Sequence, residues 1–479
     1  MHLKFLFIYF LLLSQLITAQ EKAVKLLLAD SSMIHAAASV YIVNSETGEP
    51  IFELDPERSL TPASVMKLVT SSAALELLGP EYTFKTRIGY TGSLNKHSGV
   101  LKGNIIIEGG GDPVLGSENY ISHYGNFLEN WINEIRKLGI KKVEGRVITD
   151  DSRYDYQPVP PKWLWEDAGN YYGAGAYGLS IFDNSFEIHF RTFTEGSIPV
   201  IIGFNPEFCR YELINRLKAS GNSDKGYIFS APYSDNGWIE GSIPANREDF
   251  VLNASVSDPP LLLAKIITKM LDSSGISVSG DPSTARIASN SSGMKPVIIS
   301  EISSPPLKGI IEVLNHESVN LYAEHLLKEL GKIYRNDGTT VAGVDVLYEF
   351  LEDSRINSAG IFLEDGSGLS PVNSISAKGV AEILSYMRNS SKFFNDFYAS
   401  LPEAGKEGTL KNCFSDPVFN GNLRAKSGSM TRVRSYAGYC RTLSGNDLTF
   451  CIIINNYSGT SQRIVPWIEE ILKETILNK

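Results

Sequence analysis

Cysteine and histidine are scarce: the 479 residues hold four of the first and seven of the second. Neither HExxH nor CxxC occurs, so the common zinc and dithiol redox sites find little support. Basic residues are in deficit, 44 Lys and Arg against 54 Asp and Glu, giving a formal net charge of −10. That balance argues against a nucleic-acid binder, which needs a basic face. Fixed-period repeats and low-complexity tracts are missing too. With 43% hydrophobic and 20% charged residues, wholesale disorder is excluded and a sizeable core is available.

The N-terminus carries a short apolar run. Lys4 supplies a positive flank, Phe5 to Leu13 is almost wholly apolar, and Ile17-Thr18-Ala19 places a small residue before Gln20. This is the pattern of a cleaved secretory signal with the cut after Ala19. The alternative is an uncleaved anchor, but the run falls short of the roughly 20 residues a spanning helix needs. No cysteine follows the cut, so a lipid anchor is not indicated there. The chain is read as exported to the periplasm or another extracytoplasmic space, with no integral membrane segment after signal removal. The remainder, about 460 residues, allows roughly two to four domains.

Export makes disulfides feasible. Cys440 and Cys451 flank Ser444-Gly445-Asn446-Asp447 between strand-like stretches, and a two-residue turn at Gly445-Asn446 would set them opposite each other. A bridge and a pair of buried free thiols both fit, because such neighbours rarely meet bridge geometry.

Along the chain, Ala36 to Asn44 and Ile51 to Leu54 read as strands joined by a turn at Thr47-Gly48-Glu49-Pro50. A helix follows, with Thr61 as its cap, Pro62 in its first turn and Gly79 at its end. From Phe84 to Lys295 the texture becomes β-rich, with short alternating strands such as Ser185 to Phe190 and one amphipathic helix from Tyr120 to Leu138. Helices return at Pro305-Pro306 to Asn315, then to Leu330, and again at Ala377 to Met387. Two strands (Arg432 to Cys440, Leu448 to Asn455) precede a last helix ending near Leu477, whose Glu469, Glu470 and Glu474 suit a solvated face better than a membrane.

Three short motifs occur in order. In Ser64-Val65-Met66-Lys67, residues three apart share a helix face, so hydroxyl and amine can meet. A serine needs a base to become nucleophilic, and a desolvated lysine can serve. Ser318-Val319-Asn320 can point a hydroxyl and a carboxamide into one cleft. Lys426-Ser427-Gly428 offers a cation, a hydroxyl and a residue without Cβ at a strand start; the glycine lets a substrate backbone lie close, and the N–H of Ser429 can face an oxyanion. Each motif alone equally describes an ordinary solvated face, cap or strand start.

Their combination is the penicillin-recognising serine-enzyme signature. The sequence resembles the D-alanyl-D-alanine carboxypeptidase/endopeptidase family, the class C low-molecular-mass penicillin-binding proteins, over nearly the whole mature chain. Thr61-Pro62-Ala63-Ser64 is similar to that family's lead into its nucleophile. Further similar stretches are Gly109-Gly110-Gly111-Asp112-Pro113, Trp163-Leu164-Trp165, Tyr171-Tyr172-Gly173-Ala174, Ser304-Pro305-Pro306-Leu307, Asp365-Gly366-Ser367-Gly368-Leu369-Ser370 and Gly408-Thr409-Leu410. One departure is Ser427, where the family usually has threonine; the hydroxyl is kept and a methyl lost.

The resemblance implies an α/β, transpeptidase-like domain (the serine β-lactamase/penicillin-binding fold): an antiparallel sheet covered by helices on both faces. It divides the chain into signal (1–19), first part of the penicillin-binding domain (20–83), an inserted β-rich region of one or two small domains (84–295) and second part (296–479). It also implies roles. Lys67 takes the Ser64 proton, Ser64 attacks the penultimate D-alanine carbonyl, and the N–H groups of Ser64 and Ser429 hold the oxyanion. Ser318 passes a proton to the departing amine, Asn320 bonds the substrate peptide, and Lys426 and Ser427 bind the terminal carboxylate beside Gly428. The implied partners are peptidoglycan stem peptides, with β-lactam antibiotics as inhibitors, and no metal or organic cofactor is implied. A β-lactamase would share the motifs but lack the long insertion, and a non-catalytic peptidoglycan-binding module would not need an intact Ser64 and Lys67.

Overall fold

A computed structural model describes residues 19–207, 209, 212–288 and 295–477. The expected signal, residues 1–18 up to its cut site, lies outside them. Helix α1 (Ala19–Ala29) opens the described chain, followed by strands β1 (Ala37–Asn44) and β2 (Pro50–Leu54). After helix α2 (Lys67–Leu78), the chain runs through β3 (Lys85–Tyr90), β4 (Ile105–Glu108), α3 (Phe127–Lys137), β5 (Val147–Asp150), β6 (Ser185–Arg191), β7 (Val200–Asn205), β8 (Phe250–Ser255), α4 (Pro259–Ser273) and β9 (Val297–Ser303). Helices α5 (Leu307–His316), α6 (Asn320–Arg335), α7 (Thr340–Asp353) and α8 (Ala377–Asn389) follow. The chain closes with β10 (Leu423–Met430), β11 (Val433–Arg441), β12 (Asp447–Asn455) and α9 (Ser461–Leu477).

The main sheet has the order β2-β1-β12-β11-β10 and is antiparallel throughout. Its two ends of sequence therefore build one sheet: β1 lies in register with β12, Ala37 opposite Asn455. Side chains alternate between faces. Tyr41, Val43, Ala437, Tyr439, Cys451 and Ile453 join one core with α2, α5, α6 and α8. Val40, Ile42, Tyr436, Cys440, Phe450 and Ile452 join another with α1 and α9. This is the mixed α/β sandwich, helices on both faces, that the motifs implied.

Between α2 and α5 the chain forms other sheets. One contains β5-β4-β3-β9 and shares the first core through Ile88, Ile105 and Ile107, against Trp131 of α3 in the same core. Another has the order β7-β6-β8 and a core of its own around Phe186, Ile188, Phe190 and Leu252.

Several expectations need correction. Thr61 does not cap a helix: its N–H donates to Asn455 Oδ1 and its hydroxyl to the Pro371 carbonyl, and a 3₁₀ turn over Ala63–Met66 precedes α2. The single helix from Tyr120 to Leu138 is broken at Gly125, whose φ of +49° no right-handed helix accepts. Helices α4 and α7 lie where none was expected. Cys440 pairs with Leu448 and Cys451 with Ala437, so the two thiols lie on opposite faces of the sheet in separate cores, and all four cysteines are free.

Candidate active site

The short 3₁₀ turn before α2 aligns the first motif. In a 3₁₀ turn, side chains three apart eclipse, and Lys67 Nζ donates to Ser64 Oγ at 2.9 Å. The turn is held from two sides. Gly368, at φ +82°, passes so near that a Cβ there would stand 2.0 Å from the Ala63 carbonyl oxygen. A Cβ on Gly428 would stand 2.6 Å from the Pro62 carbonyl oxygen, 2.2 Å from Ser435 Oγ and 3.1 Å from the Ser64 amide nitrogen. Gly428 thus serves the protein's own packing, letting β10 lie against the nucleophile turn. Ser435 Oγ donates to the Pro62 carbonyl at 2.5 Å. Ala63 adopts a left-handed φ of +48°, and Ser318 one of +61°; such non-glycine strain persists where surroundings over-determine it.

Lys67 is fully buried at the start of a helix buried almost all round. Besides Ser64 its amine donates to Asn320 Oδ1 at 2.6 Å and to the Ser367 carbonyl at 2.8 Å. Burial lowers its pKa to about 7, while the charges of Asp365 and Glu324 pull the other way. An amine near neutrality is suited to take a proton from a hydroxyl.

The second and third motifs meet through Lys426 and Ser318. Lys426, also fully buried, donates to Ser318 Oγ at 2.9 Å and to its neighbour's carbonyl, Ser427 O, at 2.9 Å. Its pKa is held well below the usual lysine value, chiefly by burial and then by the Lys67 and Arg434 charges. Ser427 Oγ donates to Thr409 Oγ1 at 2.8 Å, and Ser429 lies exposed on the free edge of the sheet. Asn320 Nδ2 donates to the Tyr172 carbonyl at 2.8 Å, so a loop from the intervening region walls the cleft. One amide hydrogen and one lone pair of Asn320 remain for other partners.

All the sequence-derived candidates therefore gather at one cleft: Ser64 and Lys67 at the start of α2, Ser318 and Asn320 at the start of α6, and Lys426, Ser427, Gly428 and Ser429 on β10. The motifs alone did not supply Ser367, Thr409, Glu324 or Asp365. Asp365 is buried and receives Trp163 Nε1 (2.8 Å), the N–H groups of Gly368 and Ser370 (2.7 Å each) and Asn373 Nδ2 (2.8 Å). The Asp365-Gly366-Ser367-Gly368 stretch stood out as similar to the family's, but nothing in it pointed to a lysine three hundred residues earlier.

Known proteins are similar to this chain over most of its length. The D-alanyl-D-alanine carboxypeptidase of Actinomadura sp. (strain R39) is 28% identical over 92% of this chain and 82% of its own. The D-alanyl-D-alanine carboxypeptidase DacB of Haemophilus influenzae is 23% identical over 87% of this chain and 84% of its own. The crystal structure of penicillin binding protein 4 (dacB) from Haemophilus influenzae superposes with a TM-score of 0.80, at 22% identity, covering 92% of this chain and 96% of that one. A second structure of that protein, complexed with a β-lactam, gives 0.74. The model of the D-Ala-D-Ala carboxypeptidase 3 (S13) family matches residues 20–468. Spanning nearly all of the described fold and each of the three motifs, that match makes the chain a member of the D-Ala-D-Ala carboxypeptidase 3 (S13) family.

Proposed function

We propose that this protein is an exported serine-type D-Ala-D-Ala carboxypeptidase or D,D-endopeptidase, acting on peptidoglycan stem peptides through an acyl ester on Ser64. The observation that carries the reading is the buried Lys67 amine, lowered to about 7 and 2.9 Å from Ser64 Oγ.

In the free enzyme Lys67 in its neutral form accepts the Ser64 proton as Oγ attacks the carbonyl of the penultimate D-alanine. The amides of Ser64 and Ser429 receive the oxyanion; Gly428 packing against the Ser64 amide supports that pairing, since Ser429 is next on the strand. Collapse of the tetrahedral intermediate expels the terminal amine, which takes its proton from Ser318 Oγ as the Lys426 ammonium returns one to that oxygen. The 2.9 Å bond from Lys426 to that hydroxyl supports the relay. Water then attacks the ester, the proton path reverses, and Ser64 is freed. Lys426 and the Ser427–Thr409 hydroxyl pair form the cationic, hydroxyl-lined end of the cleft that the leaving carboxylate would occupy. A carboxylate arriving there favours the charged form of Lys426, against the burial that disfavours it.

Family membership supports a cell-wall substrate and hence an extracytoplasmic location, as does the signal pattern before residue 20. Among the described residues no helix is long and apolar enough to cross a membrane. The β-lactam complex of the H. influenzae protein supports penicillin as a Ser64-directed inhibitor here. The three-part chain division, with 84–295 as an insertion, is supported by the main sheet being assembled from both ends of the chain. The test is digestion of purified peptidoglycan with mass analysis of the products. Loss of one D-alanine per stem identifies the carboxypeptidase, and cleavage of cross-linked dimers identifies the endopeptidase. Neither product with a folded protein would sink the reading.

A further inference from the structure

Glu324 is fully buried on α6, one helical turn beyond Asn320. Its carboxylate accepts the Ser367 N–H at 2.8 Å and the Gly366 N–H at 3.1 and 3.2 Å to its two oxygens. The carbonyl of that same Ser367 accepts from Lys67 Nζ at 2.8 Å. Gly366 has its backbone against α6, where a Cβ would stand 2.7 Å from the Ala323 carbonyl oxygen, so the loop has little room to shift. The catalytic amine is thus located from α6 twice: directly by Asn320, and through the loop by Glu324.

We propose that Glu324 is a positioning residue for Lys67: its carboxylate fixes the Gly366–Ser367 backbone so that the Ser367 carbonyl holds the amine against Ser64. This rests on the reading of Lys67 as the base.

The carboxylate also brings charge. The charged groups facing Lys67 are Asp365 and Glu324 from below and Lys426 from β10. Those facing Glu324 are Asp365 and, a turn further along α6, Lys328, which is paired with Asp155. Burial and the Asp365 charge raise the Glu324 carboxyl to about 8; in its ionised form it joins Asp365 in favouring the ammonium form of Lys67, against the desolvation that disfavours it. Asp365 is held by four donors of its own, including Trp163, so the charge of Glu324 can be removed while Asp365 stays anchored.

The test is kcat/KM for D-alanine release against pH, using the full mature chain as wild type, Glu324→Gln and Glu324→Asp, with thermal melting as the folding check. Glu324→Gln keeps the volume, replaces two acceptors by one and removes the charge. Its plateau should fall at least about tenfold, since misplacing a catalytic group by an ångström is costly. Its acid limb should move to lower pH, because the ionised form of Glu324, which favours the ammonium, is gone. Glu324→Asp withdraws the carboxylate by one methylene but keeps the charge, so its plateau should fall while the acid limb stays in place. A glutamine profile that superimposes on wild type overturns the proposal, as does an unaltered plateau in the aspartate variant. If the glutamine variant does not melt cooperatively, the aspartate variant decides alone by the same criterion. A wild type that releases no D-alanine sinks the functional reading instead, which keeps the two failures apart.

Discussion

Asn320 Oδ1 accepts a 2.6 Å hydrogen bond from Lys67 Nζ across 253 positions of sequence, which joins the first motif to the second before any substrate arrives. The amine sits among acceptors, yet burial still lowers it to about 7. The sign of the resulting pH dependence follows directly. In the proposed mechanism the neutral amine is the base, and it is the minority form below its pKa. Activity should therefore fall as pH drops through 7, and kcat/KM should rise about tenfold between pH 6 and pH 8. A profile measured on a peptide ending in D-Ala-D-Ala checks this, and a rate that stays flat down to pH 5 would exclude Lys67 as a base of that pKa.

Labelled penicillin should acylate Ser64, and Ser64→Ala should abolish the label without changing the melting temperature appreciably, because the hydroxyl bonds only Lys67 among the contacts described above. Lys67→Ala should slow acylation by about 10²–10⁴-fold, the usual contribution of a general base, with lost orientation adding to it. Peptide mapping that finds the label on another serine, or stopped-flow acylation near the wild-type rate in Lys67→Ala, contradicts the assignment.

Gly428→Ala probes the packing of β10 against the nucleophile turn. The added methyl meets two oxygens at 2.2 and 2.6 Å, one of them backbone, so something must move. Such overpacking costs about 1–3 kcal/mol. Because the nearest atoms belong to Pro62, Ser64 and Ser435, the expected result is a modest drop in melting temperature with a disproportionate loss of acylation. Equal activity in the alanine variant would show that the turn tolerates displacement.

How much of this was legible depended on whether the signal was local. Ser64 and Lys67 were legible because their spacing alone brings them together, and β1 and β12 because their apolar runs are nearly continuous. Helix α7 was not recognised: its buried residues Val346, Leu347, Phe350 and Leu351 follow a first turn containing Thr340, Val341 and Gly343, which reads as a loop. Helix α4 hid behind Pro259-Pro260, which the structure uses as the first turn, with Asp258 capping the Leu261 N–H. Glu324 carried no local signal, since its bonded partners are backbone N–H groups of a distant segment, and the stretch around Asp365 resembled the family's without showing its partners. Any buried carboxylate in a helix or loop would look the same in sequence.

The cysteines make a separate prediction. With Cys440 and Cys451 on opposite faces of the sheet, bridging them would require the hairpin to slip out of its register. Unfolding in guanidinium without reductant should expose four titratable thiols. Two would mean that the hairpin pairs differently from the register described.

The last prediction concerns Lys426 and the leaving group. A lysine that reads a carboxylate matters only for substrates that present one, so Lys426→Ala should impair hydrolysis of a peptide ending in free D-Ala-D-Ala. A charged hydrogen bond is worth about 1.5–3 kcal/mol, so kcat/KM should fall at least about tenfold. The structure adds a competing role, because Lys426 also donates to Ser318 Oγ at 2.9 Å. Losing that bond would disturb the proton relay for every substrate, whatever its terminus. The two roles separate when the same peptide is supplied as its C-terminal ester. If Lys426 binds the carboxylate, the acid loses far more than the ester on substitution, and penicillin, which carries a comparable carboxylate, follows the acid. If Lys426 acts only through Ser318, acid and ester lose equally. A solvated surface charge would give neither loss, only weak salt-dependent screening, and the complete burial of this side chain argues against that outcome.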